Sequence, residues 1–122
     1  MKSILISLFF FGISLSSFAQ TEAEVSITSK EDFIKDKAAG SIVMVLPSTI
    51  TNSDVEKYGK YYTGFFKTAF DEQTHKVTFN MVKNDAKSRR VIIRFLSANG
   101  IQFAHIGENT LPLSNFYEEY LK

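Results

Sequence analysis

The fold turns on three consecutive runs: Lys76-Val-Thr-Phe-Asn-Met-Val82, then Asn84-Asp-Ala-Lys-Ser-Arg-Arg-Val-Ile-Ile-Arg-Phe-Leu-Ser-Ala-Asn99, then Gly100-Ile-Gln-Phe-Ala-His-Ile106. In the first, Val77, Phe79 and Met81 alternate with Thr78 and Asn80, the two-residue period of a half-buried strand. The middle run is ambiguous by composition, because Arg90-Val-Ile-Ile-Arg-Phe-Leu96 has the β-branched content of a strand. Spacing resolves it. Val91, Ile92, Phe95 and Leu96 fall on one side at helical intervals, while Lys87, Arg90, Arg94 and Ser97 take the other. The ends agree: Asn84 or Asp85 can accept from the orphan amides of a first turn, and Asn99-Gly100 tolerates the left-handed conformation after the last. The order is strand, helix, strand, with Ile101 to Ile106 as the second strand.

Working outward, Phe65 to Phe70 reads as a strand joined to Lys76–Val82 by the hairpin connection Asp71-Glu-Gln-Thr-His75. Asp54 to Tyr62 carries Val55, Tyr58, Tyr61 and Tyr62 at helical spacing, capped by Asn52 or Ser53 and weakened by Gly59. Ser41 to Leu46 is apolar at nearly every position, which suits a central strand covered on both faces, and Pro47 ends it. Ser29 caps a short helix carrying Phe33 and Ile34 and stopping at Ala39-Gly40. Beyond the last strand, Gly107 to Asn109 turns, Thr110 to Leu113 pairs back, and Ser114 caps a terminal helix, Asn115 to Leu121, with Phe116, Tyr117, Tyr120 and Leu121 as its apolar stripe. From Ser41 the order is βαββαβ. The expected fold is therefore α+β and ferredoxin-like, an antiparallel four-stranded sheet with two helices on one face and additional N- and C-terminal helices. Those extra helices would cover part of the other face; left bare, it would favour a homodimer or another partner.

Residues 1–19 read as a signal peptide: Lys2, an apolar run from Ile4 to Leu15, and small residues at Ser17 and Ala19 before a cleavage point. Residues 20–28 form a leader with a brief strand at Val25 to Thr28, and residues 29–122 a single domain. The expected location is the periplasm or the exterior, and no other segment approaches membrane length. Removing Lys2 from the 14 Lys and Arg leaves 13 against 13 Asp and Glu, a balance without the footprint of a nucleic-acid binder. Export permits disulfides, yet there is no cysteine, so stability must come from packing, and 12 Phe with 5 Tyr indicate an aromatic core.

Asp71-Glu-Gln-Thr-His-Lys-Val-Thr-Phe79, followed by a capped helix ending Ser97-Ala-Asn-Gly100-Ile101, resembles the second half of a heavy-metal-associated domain. The resemblance covers Ser41 to Ile106 and implies the ferredoxin-like fold. That family's metal site is a Cys-x-x-Cys at the start of the first helix, where this chain has Pro47-Ser-Thr-Ile-Thr-Asn-Ser53. Without thiolates the soft ligands for copper(I) or zinc are gone.

The imidazoles of His75 and His105 are weak metal candidates, placed on a turn and on a strand that the expected sheet does not make neighbours; Asp71 and Glu72 beside His75 are ordinary turn residues. No nucleophile is paired with a base and no glycine loop cradles phosphate, so neither catalysis nor a cofactor is expected. Two surfaces stand out. Lys83, Lys87, Arg89, Arg90 and Arg94 form a basic cluster with only Asp85 among them, and Tyr58, Tyr61, Tyr62, Phe65, Phe66 and Phe70 form an aromatic run. The expectation is a non-catalytic binding module that recognises a protein or peptide in the cell envelope through Tyr58, Tyr62, Arg89, Arg90 and Arg94. The alternative is a metal-handling protein of the heavy-metal-associated type with non-Cys ligands.

Overall fold

Two residues per repeat in the strands and about 3.6 in the helices sort this chain into one sheet and one helical layer. The computed structural model describes residues 24–122; the expected signal peptide and the start of the leader lie outside them. In chain order the elements are β1 (Glu24–Ile27), α1 (Lys30–Ala39), β2 (Ser41–Val45) and α2 (Asn52–Gly59), the last continued by a 3₁₀ turn (Lys60–Tyr62). Then come β3 (Phe66–Asp71), β4 (Lys76–Met81), α3 (Ala86–Ala98), β5 (Phe103–Ile106), β6 (Asn109–Pro112) and α4 (Leu113–Phe116), which runs on as a π-helical turn (Tyr117–Leu121). Among the described residues, no helix is long and apolar enough to cross a membrane.

The strands form one six-stranded mixed sheet in the order β3-β4-β2-β1-β5-β6. This overturns the expected four-stranded antiparallel ferredoxin-like sheet. β1, taken from the stretch read as leader, lies in the middle, antiparallel to β2 and parallel to β5, and β6 adds an edge beyond β5. The reason is burial: Val25 is 0% exposed and Ile27 5%, and both belong to the same core as Met44 and Ile106. Leaving β1 out would expose both side chains and open the sheet between β2 and β5.

One sheet face presents Val25, Ile27, Ile42, Met44, Phe66, Val77, Phe79, Ala104 and Ile106 to the helices, all buried. Phe66, Phe79 and Phe95 meet edge to face at centroid distances of 5.1, 5.4 and 6.0 Å, fastening α3 to β3 and β4. Phe33 of α1 packs on Phe116 and Tyr120, so both terminal helices join the helical layer instead of covering the far face. Along that far face Val43 and Val45 are half-buried and Lys67, Ala69, Asn80 and Phe103 exposed. The expectation that β2 is covered on both faces is thus corrected: its apolar run serves a helical side and an open side.

The end signals of α3 formed as read. The Asp85 carboxylate accepts the Ser88 amide at 2.8 Å, and Gly100, at φ 80°, reverses the chain while its own amide and that of Ile101 reach Ser97 and Leu96. In α2 the cap is Thr51, in a reciprocal box with Asp54, rather than Asn52 or Ser53.

Candidate functional site

Three arginines within one and a half turns of α3 meet three different fates, because each residue advances the helix by about 100°. Arg89 turns inward and is 8% exposed. Its Nε donates to the Leu121 carbonyl at 2.6 Å, and its two terminal nitrogens donate to the Asn84 side-chain oxygen at 2.7 Å and the Lys122 backbone oxygen at 3.0 Å. Asn84 in turn donates to the Lys37 carbonyl at 2.8 Å. Arg89 therefore ties the C-terminal segment to α3, and through Asn84 to α1. The sequence-based assignment of Arg89 to an exposed binding surface is corrected on this ground. Its charge also helps to depress the nearby Lys37 amine, whose main cause of lowering is partial burial.

Arg90 and Arg94 point outward with Lys87, spaced i, i+3, i+7 along one exposed stripe. The stripe is a ridge between two hollows. On one flank, Phe65, Lys87, Arg90, Val91 and Arg94 line a recess of about 320 Å³ that contains no carboxylate. On the other, Arg90, Ile93, Ser97, Leu113, Ser114, Tyr117 and Glu118 line a recess of about 330 Å³ with an apolar floor. Arg90 belongs to both, its guanidinium 5.4 Å over the Tyr117 ring. Glu118 is already engaged by Lys122 at 3.3 Å. Among the described residues, no carboxylate lies within ion-pair distance of Arg90, Arg94 or Lys87.

Phe65 is 40% exposed, and next to it Val82, 60% exposed, donates its amide to the Phe65 carbonyl at 3.0 Å. Apolar surface thus borders the cationic recess. Tyr58 and Tyr62 do not line either hollow: both are half-buried against the core, Tyr62 stacked on Phe66 at 6.0 Å and Tyr58 beneath the Lys57 ammonium at 5.3 Å. Phe65 was read within the aromatic run but not beside the basic cluster, and Tyr117 was not read as a site residue. Each supplies a wall only through tertiary packing, although Tyr117, four residues before a buried Leu121, already marked the stripe that faces α3.

No protein-family model, curated protein or solved structure matches this chain.

The two imidazoles are far apart. His75 sits at φ 60° in the β3–β4 connection with its ring edge-on to Phe70, and the adjacent Lys76 aligns across the sheet with Val45, Ser26 and then His105. Three strand spacings separate them, about 14 Å, too far for one ion to bridge. Asp71 accepts the Gln73 amide at 2.9 Å and so serves the turn. His105 is held on the open sheet face: Thr110 Oγ1 lies 2.9 Å from its Nδ1 and donates to Glu24 at 3.3 Å. Among the described residues, no group of three or more His, Asp or Glu side chains gathers to hold a metal ion.

Proposed function

We propose that this chain is an exported, non-catalytic recognition module that binds a protein or peptide partner in the cell envelope through the outer face of α3. The observation that carries this is the recess in which Lys87, Arg90 and Arg94 converge beside Phe65 with no carboxylate among them. Like charges gathered without counter-charges repel one another, so an anionic partner gains by filling the gap. Arginine with aromatic side chains is also the composition enriched at protein interfaces. The same groups favour binding over chemistry, because guanidinium and ammonium are hydrogen-bond donors without an acceptor.

The test is capture of partners from the envelope fraction of the source by the tagged chain, compared with Arg90→Glu and Arg94→Glu variants whose thermal unfolding matches the parent. The expected result is a stoichiometric partner that both variants lose. Capture unaffected by either reversal would remove the α3 face from consideration.

A further inference from the structure

The two hollows differ in chemistry and share one wall. From this we infer that together they hold a single extended peptide segment, an apolar side chain seated between α3 and α4 and adjoining carboxylates over Arg90, Arg94 and Lys87. The inference rests on the recognition function proposed above and specifies its ligand.

The arrangement follows from helix geometry. Ile93 and Ser97 lie on the α4 side of the ridge, and Lys87 and Val91 on the side of Phe65. A chain crossing α3 over Arg90 therefore meets an apolar recess and then a cationic one. Each recess, at about 320 to 330 Å³, suits one or two side chains rather than a large cofactor. Charge complementarity fixes the sign of the ligand on one flank, and the buried walls Leu113 and Tyr117, 7% and 8% exposed, fix its apolar part on the other. Arg90 is prepared for the role. Stacked on Tyr117, it has given up much of its rotamer freedom before binding, while its outward N–H groups meet no carboxylate.

A membrane surface fits less well: Phe65 and Val82 project beside the cationic recess, but Ile93, Leu113 and Tyr117 form the floor and wall of a second recess that a flat headgroup layer does not fill. Nucleic acid also fits less well: the recess offers one ring, Phe65, in place of a series of stacking platforms.

The probe is a fluorescein-labelled nine-residue peptide with one leucine followed by three glutamates in a Gly/Ser frame, together with the reversed order. Anisotropy is read against the full chain as expressed and processed in its own source. Expected are saturable binding by one order, and a loss of about ten-fold or more on replacing the leucine by serine, on replacing the glutamates by glutamine, and in Arg90→Glu. Equal binding of the leucine-free peptide would overturn the inference, leaving a purely electrostatic surface. So would binding that Arg90→Glu leaves unchanged, or Arg90-dependent sedimentation with vesicles containing about a third anionic lipid in the absence of peptide binding. If neither peptide binds but the envelope partner is still captured and still lost in Arg90→Glu, the ligand chemistry is wrong and the recognition function stands. If that capture also fails, both fall.

Discussion

Replacing Arg89 by methionine keeps the length and packing of the stem but removes the guanidinium. Three hydrogen bonds disappear, at 2.6, 2.7 and 3.0 Å, and the Leu121 carbonyl is left without that donor in a buried position. Each bond to a charged group contributes about 1.5–3 kcal/mol when one partner is deleted. The sum overstates the loss, because methionine also escapes the desolvation cost of a buried charge. A net destabilisation of about 2–4 kcal/mol is expected. For a domain near 100 residues this lowers the melting temperature by roughly 10–25 °C. The assay is urea and thermal unfolding followed by far-UV circular dichroism. Arg89→Lys should recover only part of the loss, since a compact ammonium cannot reproduce a three-way planar fork. Two neighbours serve as controls: Arg94→Met should stay within about 0.5 kcal/mol, and Arg90→Met should lose only its stack on Tyr117, about 0.5–1 kcal/mol. A loss at Arg89→Met below about 1 kcal/mol, or Arg89→Lys equal to the parent, would refute the claim that this side chain ties down the C-terminal segment.

Two further outcomes are expected. Gly100→Ala should cost about 1 kcal/mol in urea unfolding, because φ is +80° although nothing lies within 4 Å of the added methyl; Gly64→Ala, also in open space and without a positive φ, serves as the comparison. Hydrogen bonds from the Thr51 backbone and the Ser88 backbone hold the carboxyls of Asp54 and Asp85, respectively, below the usual aspartate range. A pKa depressed by folding stabilises above the unfolded value and is lost as pH falls through the folded one. Stability should therefore decline below about pH 4, and Asp54→Asn with Asp85→Asn, whose side-chain oxygens still accept the Thr51 and Ser88 amides, should flatten that decline while changing little at neutral pH.

How much of this was visible beforehand depended on where each residue finds its partners. α3 was legible because its apolar stripe and both of its ends lie within the same sixteen residues, Asn84 to Asn99. β1 was not. Glu24-Val-Ser-Ile27 alternates, but over four residues that period carries little information, and its neighbours in the sheet come from Val45 on one side and Phe103 to Ile106 on the other. The expected antiparallel four-stranded sheet failed for that reason. The site divided the same way. Arg90 and Arg94 sit on the polar stripe and were found by spacing, whereas Arg89 was grouped with them by adjacency. A signal against that grouping was present: Arg89 stands three residues before Ile92 and seven before Leu96, on the buried side. Its acceptors, at Leu121 and Lys122, are 32 and 33 positions away and invisible to any local pattern.

The buried arginine and the exposed ones are linked through the wall they share. Tyr117 begins a π-helical turn whose N-terminal end has no side-chain cap, a form that is rarely stable by itself. Its polar ties are the bonds from Arg89 to Leu121 and Lys122 and the Tyr117 hydroxyl donating to the Ala86 carbonyl at 3.2 Å, alongside the packing of Tyr120 on Phe33 and the burial of Leu121. Tyr117 in turn carries the ring on which Arg90 is stacked. The seat of Arg90 on Tyr117 thus rests in part on a guanidinium one residue earlier that faces the opposite way. Loosening the π-helical turn at Arg89 should weaken binding at Arg90 even where the fold survives, because an arginine that must be ordered on contact loses the rotamer freedom that the stacked one has already given up.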